Sequence, residues 1–394
     1  MGVVIDVDAH FEPGNDWLIP YPALAAKLPK IDMTHLVTDS IVGDLLRDAP
    51  EARRPPLESL MPPGVHILFG EEKSNEKRRR EELGHWEQLP VANAAARLKW
   101  MDEQGIGIQN VICLSAMALT KGVSDIVLRQ ELVQTCNTWL SDNCANSNGR
   151  LLPVSCVEFT DLNFAVAELT RMRERGSRIF LIPAQPVNGV SPIHASWDRL
   201  WSAATDLGMV AMYHVGDGPA SFVPGWWNIG GDPKVLRQIG SSHFHAAPMT
   251  LLYSMVYGGV FERHPNLTVI LAEVGVGWLP YLYADIDHVL SDHANLMLGE
   301  WTLPLKPSEY LARNVRGTPL TGTMNGGDRA LLQVMDQLPE DMVIFSSDFP
   351  HFEGIPNPSK YYREKLANLS PTRRDRFYGA SIAEVYSRMR DPIC

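Results

Sequence analysis

The chain has 394 residues with a net charge of −11, so it is long enough for a large core and unsuited to a nucleic-acid backbone, which requires clustered Lys and Arg. Its five cysteines show no C-x-x-C spacing, which argues against a thiolate zinc site or a disulfide framework. The N-terminal segment has no basic leader, and no apolar run reaches about 18 residues. We therefore expect a cytoplasmic protein with no membrane partner.

Strand and helix patterns alternate along most of the chain. The first predicted strand covers 2–7, and the alternation resumes near residue 91. Seven further strands are predicted at 110–115, 152–157, 178–182, 209–214, 267–272, 314–318 and 342–346. Helices are predicted between them, for example over 92–104, 197–207 and 250–263. A βα unit repeated in this way closes into a TIM (β/α)₈ barrel, so we expect one domain over 1–394.

A proline-rich segment at about 17–90 interrupts this pattern after the first strand. Loops that follow barrel strands lie at the catalytic end. We therefore expect an inserted cap segment that covers the active site or builds a subunit contact. The second role would make the chain a homo-oligomer, and a heteromeric partner subunit stays open.

Four acidic or imidazole residues alternate at the end of the first strand: Asp6, Asp8, His10 and Glu12. Residues two apart on a strand point to the same side, so the four form one column. Such residues can simply cap a strand end. At the catalytic end of a barrel, metal binding or catalysis is the better interpretation for Asp8, His10 and Glu12. Asp6 lies deepest and is expected to support the ligands.

Three further polar residues end predicted strands. His214 follows MVAMY, Glu273 follows TVILA, and Asp348 follows VIFSS. A buried carboxylate is unfavourable unless it is paired or bound to metal, so we predict metal-binding or acid–base roles for these residues over core packing or a salt bridge. His243 and His245 alternate in a loop, where ligand, substrate contact and surface histidine remain equally open.

The chain resembles the amidohydrolase-related family that includes aminocarboxymuconate semialdehyde decarboxylase. The resemblance is carried by IDVDAHFEP, RLKWMDEQGIGIQNVI, RLLPVSCVEFTD, WDRLWSAATDLGMVAMYHVG, GGVFERHPNLTVILAEVGVGWLP and FSSDFPHFEG. It implies a distorted TIM barrel with a divalent metal held by Asp8, His10, His214 and Asp348.

Two departures from this family pattern bear on the reaction. Glu273 stands where decarboxylases and hydrolases of the family usually have a histidine, and no lysine ends the fourth strand. A second metal position could then lie among Glu12, Glu273, His243 and His245. Mixed carboxylate and imidazole ligands suit iron or manganese.

Some members of the family group are dinuclear iron oxygenases. We therefore rank first a dinuclear Fe (or Mn/Fe) enzyme that uses O₂ to hydroxylate a small organic acid. The alternative is a mononuclear zinc or manganese hydrolase or decarboxylase of a small carboxylate, with water activated by Asp348 and with Glu273 as general acid or base. A catalytically silent barrel that serves as a partner subunit is the third hypothesis.

Overall fold

The computed structural model describes residues 2–11, 18–28, 93–113, 120, 123–216, 242–320, 327–350, 354–355 and 357–388. Seven parallel strands follow one another in chain order within one sheet. They are β1 (Ile5–His10), β2 (Ile108–Ile112), β3 (Leu151–Ser155), β4 (Ile179–Leu181), β5 (Val210–His214), β6 (Val269–Ala272) and β7 (Val315–Gly317). Every strand residue is buried, as expected for parallel strands covered by helices.

Residues 342–349 close the sheet into a barrel between β7 and β1. The Ile344 amide donates to the Gly317 carbonyl at 3.0 Å, and the Asp348 amide donates to the Asp8 carbonyl at 2.9 Å. These contacts form isolated parallel bridges to both neighbouring strands. The predicted distorted (β/α)₈ barrel is confirmed, with this segment in the eighth place.

Helices connect successive strands and cover the barrel. They are α1 (Pro22–Ala25), α2 (Ala94–Gln104), α3 (Ile126–Cys144), α4 (Leu162–Glu174), α5 (Asp198–Asp206), α6 (Ala246–Tyr257), α7 (Val260–Arg263), α8 (Leu279–Asp285), α9 (Asp292–Leu298), α10 (Pro307–Asn314), α11 (Gly327–Asp336), α12 (Pro358–Lys365), α13 (Pro371–Asp375) and α14 (Ser381–Arg388). Short 3₁₀ segments lie at Ala145–Ser147, Ala195–Trp197 and Ile286–Leu290, and a π-helical turn lies at Arg376–Ala380. Within the described ranges, no helix has the length and apolarity needed to cross a membrane.

Several predicted boundaries differ from the observed ones. The first strand extends to His10, so Asp8 and His10 lie within it. The single helix predicted over 250–263 is instead α6 and α7, because Gly259 adopts a left-handed φ of 69° between them. The predicted strand 342–346 forms one isolated bridge, at Val343, and no continuous strand. The inserted segment lies outside the described residues except for 18–28, and the single-domain organisation stays a prediction.

The π-helical turn packs closely against the chain that leads into β1. A Cβ atom added to Gly379 would overlap the Val3 carbonyl oxygen and lie 3.3 Å from the Ile5 amide nitrogen. We therefore expect Gly379→Ala to lower the free energy of unfolding by about 1–3 kcal/mol, measured by urea denaturation. Gly277→Ala is the control, because its Cβ would enter open space and should change stability by less than about 0.5 kcal/mol. Equal losses in the two variants would contradict the prediction.

Candidate active site

The β1 column enters the barrel interior, where the side chains of Asp6, Asp8 and His10 are fully buried. Asp6 accepts hydrogen bonds from Gln109 Nε2 at 2.8 Å, Ser347 Oγ at 2.6 Å and the Ser347 amide at 3.0 Å. Burial raises the pKa of Asp6 to about 6, although these hydrogen bonds lower it. Asp6 therefore joins β1 to its neighbours and supports the strand that carries Asp8 and His10.

Asp8, His10 and His214 bring one ligand atom each within 4.8 Å of one another. Both imidazole Nε2 atoms lie 3.8 Å from Asp8 Oδ1. His214 Nδ1 lies 3.0 Å from the Val215 carbonyl oxygen. When Nδ1 donates to this carbonyl, which only accepts, Nε2 is the nitrogen left to bind a metal.

His10 also belongs to a second group, with Glu273 and Asp348, whose ligand atoms meet the same 4.8 Å limit. His10 Nε2 lies 3.0 Å from Asp348 Oδ1 and 4.0 Å from Glu273 Oε2. Glu273 Oε2 in turn lies 2.9 Å from His214 Nε2. The shared histidine and this contact make the two groups one site, which we call the barrel cluster: Asp8, His10, His214, Glu273 and Asp348.

The two strand-end carboxylates have unusual backbone conformations. Glu273 has φ 55° and Asp348 has φ 52°, both in the left-handed region. Non-glycine residues in sparsely populated regions cost on the order of 1–3 kcal/mol each and concentrate at functional sites. Only 4 residues other than glycine with positive φ occur in the described ranges, and 2 of them are in the barrel cluster. The surrounding fold holds these carboxylates at a cost in stability.

The barrel cluster fits a divalent cation. Both Asp8 carboxylate oxygens are buried, and neither accepts a hydrogen bond from any residue that the structure describes. Burial raises the pKa of Asp8 well above its usual range, His214 lowers it, and the negative charges of Asp348, Glu273 and Asp6 raise it further. A cation would offset this repulsion and supply the partner that the Asp8 oxygens lack.

Three other predicted ligands are not part of the barrel cluster as the described residues define it. Glu12 lies outside the described residues. His243 and His245 belong to neither group; their rings stack on each other at 6.4 Å, and His245 stacks on Trp278 at 6.0 Å. Burial and then His243 lower the pKa of His245. No described group contains either histidine, and the second metal position expected from Glu12, Glu273, His243 and His245 stays a prediction.

Sequence reasoning missed the buried polar residues that bond to β1 next to the barrel cluster. Arg97 is fully buried, and its Nη1 donates to Gln109 Oε1 at 2.8 Å. Gln109 pairs with Asp6 in the β1–β2 register and bonds to its side chain. A glutamine within the apolar strand IQNVI was the available signal, because a buried amide needs a polar partner.

The chain matches a known protein family over nearly its whole length. The amidohydrolase family model matches residues 5–388. Gamma-resorcylate decarboxylase from Rhizobium sp. (strain MTP-10005) is 26% identical over 274 residues, which cover 68% of this chain and 79% of that protein. Both the family and the relative are consistent with the resemblance described above.

Two solved structures share the fold. Amidohydrolase map2389c from Mycobacterium avium subsp. paratuberculosis K-10 is 20% identical, with a TM-score of 0.68 over 98% of this chain and 97% of that chain. A mutant 5-carboxyvanillate decarboxylase from Novosphingobium aromaticivorans DSM 12444 is 16% identical. Its TM-score is 0.67, and the match covers 98% of this chain and 97% of that chain. That structure contains manganese and 3-methoxy-4-hydroxy-5-nitrobenzoic acid.

These relatives bear on the predicted reaction. Two of the three are decarboxylases, and none is described as an oxygenase or as iron-dependent. The preference for iron and O₂-dependent hydroxylation is therefore not supported. The comparisons favour the alternative prediction, a metal-dependent hydrolase or decarboxylase, because two of these relatives are decarboxylases.

Proposed function

Because this chain belongs to the amidohydrolase family, as the match over residues 5–388 establishes, we propose that it is a metal-dependent decarboxylase of a hydroxylated aromatic carboxylic acid. The observation that carries the proposal is the barrel cluster at the carboxyl ends of the strands, where barrel enzymes place their catalytic groups. The gamma-resorcylate decarboxylase relative supports the reaction, and the aromatic acid in the solved 5-carboxyvanillate decarboxylase supports the substrate class.

We assign Asp8, His10, His214 and Asp348 as ligands of one divalent cation. Carboxylate oxygens and imidazole nitrogens suit manganese and zinc, and manganese in the solved decarboxylase favours the former. When bound, the cation would act as a Lewis acid that binds the oxygens of the substrate and withdraws electron density from it. The protein would hold the acid beside Glu273.

We assign Glu273 as the proton donor. Decarboxylation breaks the bond between the ring carbon and the carboxyl carbon, releases CO₂, and leaves an electron pair on the ring carbon that must take up one proton. Glu273 is the most exposed side chain of the barrel cluster, at 7%, which supports its assignment as the member that a substrate contacts. Its protonated carboxyl would transfer that proton, and a proton from water would then restore it.

The proposal is tested by gas exchange on protein stripped of metal and reloaded separately with Mn²⁺, Zn²⁺ or Fe²⁺. Gamma-resorcylate, 5-carboxyvanillate and an unsaturated aliphatic dicarboxylate are the substrates, and the metal-free protein is the control. We expect CO₂ release with the manganese protein and an aromatic acid, in equal amounts with and without oxygen. O₂ uptake by the iron protein with a hydroxylated product and no CO₂ would replace the proposal with an oxygenase.

A further inference from the structure

Arg97 of α2 is buried against the chain segments that carry His10 and Asp348 of the barrel cluster. Its Nη2 donates to the carbonyl oxygen of His10 at 2.5 Å, and its Nη1 donates to Gln109 Oε1 at 2.8 Å. The side chain is 0% exposed. A fully buried guanidinium is unfavourable unless hydrogen bonds satisfy it, so simple space filling would select an apolar residue here.

The same guanidinium contacts the two residues that directly follow His10 and Asp348 in the chain. Its Cζ lies 5.4 Å from the ring centroid of Phe11 and 4.4 Å from that of Phe349. Trp100, on the same helix, stacks on Phe349 with ring centroids 3.8 Å apart. One cation therefore contacts both the end of β1 and the segment that closes the barrel.

A second route connects Arg97 to that closing segment through side chains. Gln109 receives one hydrogen bond from Arg97 and donates another to Asp6 at 2.8 Å. Asp6 then accepts from the hydroxyl and the amide of Ser347, the residue before Asp348. Arg97 is thus linked to the chain on both sides of Asp348 and to the His10 backbone.

We propose that Arg97 is a positioning residue that sets the 3.0 Å approach of His10 to Asp348 and so prepares the barrel cluster for its divalent cation. This inference rests on the proposed metal site. Partners of metal ligands fix ligand orientation, and losing one typically weakens metal affinity about 10- to 100-fold. Lysine cannot replace Arg97 fully, because one ammonium does not match two acceptors at fixed angles.

Arg150 provides a matched control. Its guanidinium also bonds to backbone carbonyls, from Nε to Gly107 at 3.0 Å and from Nη2 to Ile106 at 2.8 Å. These carbonyls precede β2, at the opposite end of the barrel from the cluster. Arg150→Met therefore removes two backbone hydrogen bonds and the 2.7 Å contact of Nη1 with Asp102 on α2, but no bond to the residues next to the proposed ligands.

The test compares the wild type, Arg97→Met, Arg97→Lys and Arg150→Met after chelator treatment. Mn²⁺ affinity and the electron paramagnetic resonance spectrum of bound Mn²⁺ are measured, with the thermal midpoint of each metal-free protein. We expect Arg97→Met to weaken Mn²⁺ binding about 10- to 100-fold and to change the spectrum, with Arg97→Lys intermediate. Arg150→Met should lower the midpoint while its affinity stays within about twofold of the wild type.

Wild-type affinity and an unchanged spectrum in Arg97→Met would overturn the inference and leave a packing role. If Arg97→Met does not fold, Arg97→Lys decides: wild-type binding in that variant overturns the inference, and weakened binding with a changed spectrum supports it. A wild type that binds no Mn²⁺ would instead refute the metal site of the proposed function, and the inference would fall with it.

Discussion

Glu273→Gln is expected to keep its metal and lose turnover, with kcat lower by about 10²- to 10⁴-fold, because glutamine cannot deliver a proton to the ring carbon. Asp348→Asn is expected to lose metal instead. Its carboxylate contacts His10 at 3.0 Å within the barrel cluster, and an amide is a weaker ligand for a divalent cation. Metal content per chain, CO₂ release and substrate affinity, measured on the same preparations, separate the two roles.

Glu262→Gln is the matched control for this pair of variants. Glu262 lies on α7, outside the barrel cluster, and accepts a hydrogen bond from the Tyr310 hydroxyl at 2.6 Å. We expect this control to retain both metal and activity. Metal loss in Glu273→Gln would reassign Glu273 as a ligand, whereas full activity in that variant would remove it as the proton donor. Full metal content in Asp348→Asn would remove Asp348 from the ligand set.

The metal-free protein is expected to lose stability as the pH rises. Burial raises the pKa of Asp6 from 3.8 to about 6 and raises that of Asp8 well above its usual range. Between pH 3.8 and about pH 6, Asp6 keeps its proton in the folded state but releases it in the unfolded state. The free energy of unfolding therefore falls as the pH increases. The rise at Asp6 alone corresponds to about 3 kcal/mol lost by the upper end of that window. Asp8 extends the loss to higher pH.

Urea unfolding of chelator-treated protein at about pH 4, 6 and 8 measures this dependence. Asp8→Asn removes one titrating carboxyl and should flatten the decrease above about pH 6. Mn²⁺ added to the wild type should restore more stability at high pH than at low pH, because the ligands must be deprotonated to bind. Stability of the metal-free wild type that increases with pH across this window would contradict the prediction.

Part of the candidate site was accessible from local sequence patterns. Alternation with a period of two placed Asp8 and His10 on one face of β1, and apolar runs that end in His214 and Glu273 located two more strand ends. The polar glutamine in β2 was an unused signal of the same kind. Exact strand limits were less accessible, because neighbouring strands determine where pairing stops.

By itself, the sequence determined the repeated βα pattern and the residue types at the strand ends, because periodicity and burial preference act over a few neighbouring residues. Only the tertiary structure decided which of those residues meet. His10 and Asp348 are 338 positions apart, yet they lie 3.0 Å from each other because residues 342–349 pair with β1 and close the barrel. The same closure brings both segments into contact with Arg97, whereas His243 and His245 stack on each other and belong to neither described group. Such contacts depend on strand order and register across the whole chain, which no local pattern encodes.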